Sequence, residues 1–580
     1  MTYTENSGKT SLLHSLRPSG RAALALTAAI SAATALPLLA PQLTRRFVDD
    51  AIAGAGTGRL TLIALGYLGV AVAGQGARVV TAWLASRLAW DGTNRLRERL
   101  TGHALRLDLA FHGRHGPGEM IERVDGDVVA VARFVVTFLM DVVASVLLLI
   151  GVLVIVLTVD VRIGTVLLVH SLFAAYGMTR AQRLSVQPEV RARAATAAMI
   201  GVLEERVAGA EDLRANGAGR YAVNRFHHAA AAWYRAERRG AMIGSGLVAA
   251  TSVAFAAGTA LILGLAAWTS LSGALSVGTT VLLFQYTLMI RTPFERLIDQ
   301  LREMQDAMAG LARVRALLAE RRTLPQPVAR RPLPATGPLA LELDGVSFAY
   351  PDDEEVLTDV SLSLAPGETL GLVGRTGSGK TTIARLVLRL YDPVRGSVRI
   401  GGVDLREADP DDLRRRVRAV TQDVQLFGGT VRDNLTLFRP AGDDDRLRAA
   451  LAEVGLDEWL ARLPHGLDTE LSGSTGLSAG EAQLLALARA FLADPGLVVL
   501  DEASSRLDPA TERRIERSVD RLLDGRTGVI IAHRLSSLAR VDKIAVVADG
   551  RVVEYGHRAD LVADPGSRFS RLLELAGAAR

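Results

Sequence analysis

The chain has 580 residues, of which 49% are hydrophobic, with a mean hydropathy of +0.23 and a formal net charge of +5. This composition is too apolar for an ordinary soluble enzyme, and arginine-rich cytoplasmic loops explain the positive charge without nucleic-acid binding. The absence of cysteine excludes disulfides, thiolate metal sites and cysteine nucleophiles.

Long uncharged runs occur only before residue 293, which indicates a membrane half followed by a soluble half. Residues 1–20 are polar and lack the apolar core of a signal peptide, so the first run is expected to be the membrane anchor. One run, Ala241–Ile290, is too long for a single crossing, and Ser270–Gly273 is the expected turn. The sequence predicts six spans: Ala22–Leu43, Leu60–Ala77 with a helical continuation toward Arg99, Phe134–Val159, Ile163–Thr179, and two within Ala241–Ile290.

Six spans place both termini on one side of the membrane. The connections between spans two and three and between spans four and five are long and rich in arginine, which predicts that they are cytoplasmic. Arg45 and Arg46 oppose this orientation, but Asp49 and Asp50 follow them closely. We therefore expect a multi-pass protein of the plasma (inner) membrane, with both termini and the soluble half in the cytoplasm.

Asp141 is the one carboxylate well inside a predicted span. Intramembrane acids are costly and often functional, so it could face a water-filled substrate path. It could equally lie near the cytoplasmic mouth of a long helix and pair with a neighbouring span. Both interpretations remain open from the sequence.

The soluble half begins after a proline-rich stretch that indicates a linker. Strand-like and helical segments then alternate, which is typical of an α/β domain. The clearest helix start is Thr382–Leu390. The predicted strands are Leu339–Phe348, Thr369–Val373, Leu497–Leu500, Val529–Ile531 and Ile544–Val547. The predicted divisions are an N-terminal cytoplasmic segment (1–20), an all-α transmembrane domain (21–323), the linker (324–338) and an α/β domain (339–580).

Residues 374–382 read GRTGSGKTT and fit the phosphate-loop pattern G-x-x-x-x-G-K-[ST] between a predicted strand and a predicted helix. Glycines let backbone N–H groups surround phosphate oxygens, Lys380 supplies a point charge, and the Thr381 hydroxyl can bind Mg²⁺. Lysine occurs only at positions 9, 380 and 543, which favours a specific need for an ammonium group. The structural alternative is a glycine turn before a helix. The residues expected to contact ATP here are Gly374, Arg375, Thr376, Gly377, Ser378, Gly379, Lys380, Thr381 and Thr382.

A second candidate catalytic motif is formed by Asp501 and Glu502, which directly follow the predicted apolar strand Leu497–Leu500. Asp501 can hold Mg²⁺, directly or through water, and Glu502 can polarise the attacking water as a general base. An apolar strand followed by Asp-Glu is common by itself, but after a phosphate loop it specifically indicates a site for ATP hydrolysis.

From Leu339 to about Leu575 the chain resembles the nucleotide-binding domain of an ABC transporter. The order of motifs matches: a phosphate loop, a Q-loop glutamine, a signature helix start, an acidic strand end, a D-loop and a switch histidine. The resemblance implies that Gln422 binds Mg²⁺ with Thr381 and Asp501, and that His533 contacts the γ-phosphate in catalysis with Glu502. It further implies ATP contacts for Ser478 and Gly480 at the signature Leu477–Glu481, and adenine stacking for Tyr350, for which a place in the strand core is the alternative.

The membrane half resembles that of exporter-type (type IV) half-transporters, in which six spans precede one nucleotide domain. Gly118–Val124 and Glu204–Phe226 resemble the two intracellular loops whose short coupling helices rest on nucleotide domains. The resemblance covers roughly residues 20–575.

The chain departs from the family pattern at its signature, where Leu477–Glu481 reads LSAGE instead of LSGGQ. Ala479 adds a methyl group where backbone should approach phosphate, and Glu481 adds a negative charge. The D-loop, Ser505–Asp508, reads SRLD instead of SALD. Because the remaining motifs are intact, the pattern favours one chain of a heterodimer, with a homodimer as the alternative.

The sequence therefore predicts an ATPase coupled to transport, most simply the export of a hydrophobic or amphipathic compound (lipid, drug or peptide). The expected cofactors are ATP and Mg²⁺. The expected partners are a second half-transporter chain, the lipid bilayer and the small amphipathic substrate, without nucleic acid. The alternatives are an importer of iron-chelator complexes with the same fold, a non-transport ATPase, and an ATP-gated channel or membrane regulator that does not pump.

Overall fold

The computed structural model describes residues 20–328, 330–351, 354–440, 443–471, 477–501, 508–532 and 535–578. Its packing divides the chain into two compact units. The first comprises Met1–Leu105 and Pro117–Glu320, and the second comprises Arg106–Gly116 and Arg321–Arg580.

The first unit is helical throughout its described length apart from short connections. The helices are α1 (Gly20–Ile52), α2 (Thr57–Ala104), α3 (Leu109–Arg114, in the second unit), α4 (Pro117–Ile121), α5 (Asp127–Thr137), α6 (Ala144–Val159), α7 (Val161–Ala208), α8 (Ala210–Ala215), α9 (Gly219–Leu271) and α10 (Val277–Ala319). Two π-helical segments, Glu122–Gly126 and Phe138–Val143, join α4, α5 and α6 into one long helical stretch.

Five helical stretches in the described part of the chain are long and apolar enough to cross a membrane: Gly20–Ile52, Thr57–Ala104, Pro117–Val159, Val161–Arg180 and Gly219–Leu271. A sixth long helix, α10, follows the turn expected at Ser270–Gly273, and it becomes polar after Ile290. The predicted all-α membrane domain is confirmed, and the long helices continue well beyond the apolar runs from which they were predicted.

Side-chain caps tie the ends of α1 and α10 together. Ser276 caps α10 by accepting a hydrogen bond from the Thr279 N–H at 3.1 Å. The Asp49 carboxylate accepts from the Gly278 N–H and from the Ser276 hydroxyl, both at 2.9 Å. Arg45 lies 3.7 Å from the same carboxylate. The acid that follows Arg45 in the sequence therefore both offsets its charge and joins two helices.

An ion pair with a buried carboxylate joins α5 to α10. Asp127 is 1% exposed, and its carboxylate accepts a hydrogen bond from Arg313 Nε at 2.9 Å. A carboxylate buried this completely depends on its partner, because water cannot replace the lost interaction. The Arg313 side chain is 51% exposed, so only the carboxylate of this pair is buried, whereas the Arg291–Glu295 pair on α10 leaves nearly half of each side chain exposed.

We expect Arg313→Ala to destabilise the membrane unit by about 3 kcal/mol, since it leaves the buried Asp127 carboxylate without its partner. Glu295→Ala breaks the exposed pair on the same helix and should cost less than about 1 kcal/mol. Thermal unfolding in detergent, followed by tryptophan fluorescence, compares the two variants. Equal shifts in midpoint would contradict the role given to Asp127.

The second unit contains a six-stranded sheet, a four-stranded antiparallel sheet and a two-stranded ribbon, with strand orders β12-β11-β3-β10-β9-β6, β2-β1-β4-β5 and β7-β8. The strands are β1 (Leu341–Ala349), β2 (Glu355–Leu364), β3 (Thr369–Val373), β4 (Arg395–Ile400), β5 (Val403–Asp404), β6 (Val417–Val420), β7 (Gly429–Thr430), β8 (Glu470–Leu471), β9 (Leu497–Asp501), β10 (Thr527–Ile531), β11 (Lys543–Ala548) and β12 (Arg551–His557). The helices are α11 (Lys380–Val387), α12 (Pro410–Arg416), α13 (Val431–Thr436), α14 (Asp444–Glu453), α15 (Asp457–Arg462), α16 (Ala479–Ala493), α17 (Pro509–Leu523), α18 (Arg558–Ala563) and α19 (Arg568–Ala578), with 3₁₀ turns at Gly466–Asp468 and Leu535–Leu538.

Five neighbouring strands of the large sheet, β11, β3, β10, β9 and β6, run parallel. Their apolar residues are buried on both faces, as is typical of parallel sheets. Because parallel strands end at the same edge, the segments that follow β3, β9 and β6 are brought together. This arrangement confirms the predicted α/β domain and positions the candidate site.

Candidate functional site

The phosphate loop lies between β3 and α11, in the setting that the sequence predicts. Gly379 is the N-cap of α11 at φ +106°, a backbone conformation that favours glycine. A Cβ atom at this position would also collide with the side chain of Leu357. The loop thereby presents the first N–H groups of a helix at the sheet edge, where they can bind an anion.

Lys380 is the cation held inside this loop. Its side chain is buried, and its ammonium group donates hydrogen bonds to the carbonyls of Gly374 at 2.6 Å and Arg375 at 2.9 Å. Burial lowers the pKa of Lys380, and the negative charge of Asp501 opposes that shift. Leu372 of β3 and Asp501 of β9 both pair with Ile531 of β10, so the two sequence motifs lie at the same edge of the sheet.

The other phosphate-loop residues divide by exposure. The side chains of Arg375 and Thr376 and the backbone of Gly377 are exposed, whereas Ser378 is 6% exposed. At the start of α11 the Thr381 side chain is exposed, and the Thr382 side chain is buried. Thr381 is therefore placed to reach a ligand, and Thr382 points into the domain.

Tyr350 lies just after β1 and is linked to the helix of the phosphate loop. Its hydroxyl lies 3.0 Å from the Thr382 hydroxyl and accepts a hydrogen bond from Arg385 at 2.9 Å. Its ring packs edge-to-face with Phe348 and Tyr391, with centroid distances of 4.9 and 5.2 Å. The aromatic residue is thus part of the strand core and also adjoins α11, so adenine stacking by Tyr350 stays a prediction.

The carboxyl ends of β9 and β6 bring Asp501 and Gln422 to the same edge. Leu500 pairs with Val420, so Asp501 is one residue and Gln422 two residues beyond paired positions. The Gln422 side chain is exposed. The hydroxyl, amide and carboxylate oxygens of Thr381, Gln422 and Asp501 are of the kind that Mg²⁺ prefers, and Mg²⁺ binding by these residues stays a prediction.

Two predicted catalytic residues, Glu502 and His533, lie outside the described residues, as do Ser505, Arg506 and Leu507 of the D-loop. The last D-loop residue, Asp508, caps α17 by accepting hydrogen bonds from the N–H groups of Ala510 and Thr511, both at 3.0 Å. The roles of Glu502 and His533 stay predictions from the motifs.

The signature residues form the N-terminus of α16 with a reciprocal capping box. The Ser478 hydroxyl oxygen accepts from the Glu481 N–H at 3.3 Å, and a Glu481 carboxylate oxygen accepts from the Ser478 N–H and hydroxyl, both at 2.9 Å. Gly480 is buried within the first turn. The Glu481 carboxylate therefore already accepts from the two Ser478 donors, whose contact with a phosphate stays a prediction.

The sequence analysis did not predict a set of hydrogen bonds that joins the Q-loop segment to the signature helix. The Arg489 guanidinium on α16 donates to the carbonyls of Asn434 at 2.7 Å and Gln425 at 3.3 Å. Asn434 is fully buried and exchanges two hydrogen bonds with the backbone of Phe427, both at 2.9 Å. The signature helix and the Q-loop segment are thus joined directly. The one sequence signal that could have located this segment is the pair Thr430 and Asp433, which forms a capping box at the N-terminus of α13.

These observations define a class of protein: a P-loop ATPase fused to a multi-pass membrane bundle. The comparisons agree, because the ABC transporter profile matches residues 357–505 and the ABC transporter transmembrane region profile matches residues 23–294. The chain belongs to the ABC transporter family, as an integral multi-pass membrane protein with an ATP-binding domain.

The relatives extend over nearly the whole chain. A "Multidrug efflux ATP-binding/permease protein" of Mycobacterium bovis is 34% identical over 555 residues, 94% of this chain and 45% of that protein. The "Putative multidrug export ATP-binding/permease protein YgaD" of Bacillus subtilis is 30% identical, over 93% of this chain and 94% of that protein. A solved bacterial Atm1-family ABC exporter with ATP bound superimposes with a TM-score of 0.78 at 25% identity, over 96% of this chain and 98% of the other. The chain spans less than half the length of the first relative.

Proposed function

We propose that the chain is the ATP-hydrolysing half of a membrane exporter for a hydrophobic or amphipathic compound. The observation that supports this proposal is that the parallel strands followed by the phosphate loop, Asp501 and Gln422 end at one sheet edge, in a chain that also has helices able to cross a membrane. Relatives named for multidrug efflux and export support the direction.

In this function the phosphate loop holds ATP, with Lys380 against the outer phosphates. Thr381, Gln422 and Asp501 would hold Mg²⁺, which neutralises charge on the phosphate oxygens. Glu502 polarises the attacking water and His533 contacts the γ-phosphate. The nucleotide domain and both termini then face the cytoplasm of an inner (plasma) membrane, where ATP is available.

A second chain completes the site in this proposal, because the signature residues of a partner would close over ATP. The Glu481 contacts support a heterodimer: a carboxylate that already accepts from the Ser478 N–H and hydroxyl competes with a phosphate for the same donors. The signature of this chain would then cover a slow site, while the partner's signature serves the intact motifs of this chain.

The Glu481→Gln variant tests this interpretation. Glutamine can keep the capping box but removes the negative charge. We expect ATP hydrolysis by the complex to rise about threefold or more, since like-charge repulsion at the phosphate is lost. Glu458→Gln, an exposed neutralisation on α15, is the matched control and should leave the rate unchanged. If both variants hydrolyse ATP at the wild-type rate, Glu481 does not weaken the signature.

Transport itself is tested in inside-out membrane vesicles that contain the complex. Export predicts ATP-dependent accumulation of a fluorescent amphiphile inside these vesicles, because their cytoplasmic face is outside. The same vesicles without ATP, and vesicles without the complex, are the controls. ATP-dependent loss of a preloaded compound would instead indicate import.

A further inference from the structure

A charged cavity lies within the membrane unit. It has a volume of ≈ 410 Å³ and is bounded by α1, α2, the π-helical segment Phe138–Val143, α6 and α10. Most of its lining is apolar or small, as at Ile30, Leu148 and Met289, but three charged side chains reach it: Arg78, Asp141 and Arg296. Charged side chains that line a mostly apolar cavity in a membrane bundle mark a candidate ligand site.

Only part of this charge is neutralised within the cavity. Arg296 Nη1 lies 3.3 Å from Asp141 Oδ1, so one cation faces the one acid. Asp141 thus both lines a cavity and pairs with a neighbouring helix, which combines the two interpretations left open by the sequence. Within the described part of the chain, Arg78 makes no hydrogen bond or ion pair. The three side chains together carry one net positive charge.

Arg78 also lines a second cavity of ≈ 490 Å³, which shares Pro37 and Met289 with the first. The second cavity contains no other charged residue, and apolar side chains such as Val70 and Leu288 contribute to its wall. Arg78 therefore lines both the cavity that contains Asp141 and Arg296 and the second cavity, in which it is the one charged residue. This is the arrangement needed for a molecule with an anionic end and an apolar end.

We propose that Arg78 and Arg296 bind the acidic headgroup of an amphiphile, a single carboxylate or phosphate, whose apolar part occupies the second cavity. This rests on the proposed transport function and names the substrate class. Guanidinium groups bind planar and tetrahedral oxyanions through paired hydrogen bonds, which a neutral headgroup cannot match. Asp141 competes with the ligand for Arg296, so it limits affinity and lets the ligand leave.

Binding to the full chain in nanodiscs of neutral lipid tests the proposal without ATP. The probes are fluorescent C18 chains that end in a carboxylate, a phosphate or a neutral alcohol. Arg78→Gln should weaken binding of the two acids about tenfold or more and leave the alcohol unchanged. Asp141→Asn should strengthen acid binding severalfold, because it releases Arg296. The two acid probes distinguish a carboxylate site from a phosphate site.

The matched control is Arg162→Gln, which removes an exposed arginine at the start of α7. It should bind all three probes as the wild type does. Equal binding of acids and alcohol by the wild type, or acid binding that Arg78→Gln leaves intact, would overturn the proposal. Because binding is measured without nucleotide, this outcome is distinguishable from a failure of ATP-driven transport, in which binding persists but no probe moves.

Discussion

Replacing Lys380 by alanine is expected to lower the affinity for ATP by about ten- to a hundredfold, the range for losing a charge-assisted contact in a buried site. The ammonium group is buried and lies against the carbonyls of Gly374 and Arg375, so no water or neighbouring cation can take its place easily. Binding of a fluorescent ATP analogue to the purified chain measures the effect directly.

Two further variants make the Lys380 result specific. Lys380→Arg keeps the charge, but Lys380 is only 6% exposed, and the larger planar guanidinium does not fit the same buried space. This variant should therefore also bind ATP poorly. Arg399→Ala removes an exposed cation from β4, which belongs to the antiparallel sheet and not to the sheet that carries the phosphate loop, and should bind ATP normally. Wild-type affinity in Lys380→Ala would contradict the assignment of the phosphate loop.

Replacing Glu502 by glutamine should slow ATP turnover by about a hundredfold or more while ATP still binds, because a general base contributes on that scale. Asp501, which directly precedes Glu502, is the last residue of β9 and lies at the sheet edge that follows β3. A glutamine keeps the size of the side chain but cannot accept the proton of the attacking water.

Binding and turnover must be measured on the same preparation of Glu502→Gln. Retained binding of the ATP analogue with lost phosphate release is the expected pair of results. Glu516→Gln, an exposed change on α17, controls for the loss of a carboxylate. Unchanged turnover in Glu502→Gln would show that the hydrolytic base lies elsewhere, including on a partner chain.

Most of the sheet-edge site could be predicted from the sequence, because its chemistry depends on contiguous residues. The run 374–382 specifies its own conformation through glycines, and β3, β9, β10 and β11 are short apolar runs bounded by turns. The predicted strand at Thr369–Val373 matches β3 to the residue. The antiparallel sheet was not predicted beyond β1, although β2 alternates polar and apolar residues as a strand with one buried face does.

What the sequence could not supply are contacts between distant segments. The hydrogen bonds of Arg489 to Asn434 and Gln425 join residues 55 and 64 positions apart. Likewise, the grouping of Arg106–Gly116 with the second unit depends on tertiary packing: Asp108 accepts hydrogen bonds from the backbone and side chain of Thr323, more than 200 residues later. The segment Gly118–Val124, predicted to contain a coupling helix, lies in the first unit.

The contacts of Glu481 could not be predicted from the signature motif alone. As a letter in LSAGE it suggested only a charge near phosphate. In the structure its carboxylate accepts two hydrogen bonds from Ser478 and so occupies the helix N-terminus itself. The structure therefore shows that the Ser478 N–H and hydroxyl are already hydrogen-bonded within the chain.

The most direct test of the central claim is to follow ATP hydrolysis and amphiphile movement together in proteoliposomes that contain the purified complex. The account predicts that movement requires ATP, and that Glu502→Gln abolishes hydrolysis and net movement together while ATP binding persists. Movement that continues at the wild-type rate in Glu502→Gln, or hydrolysis that never moves an amphiphile under any condition, would contradict an ATP-driven exporter.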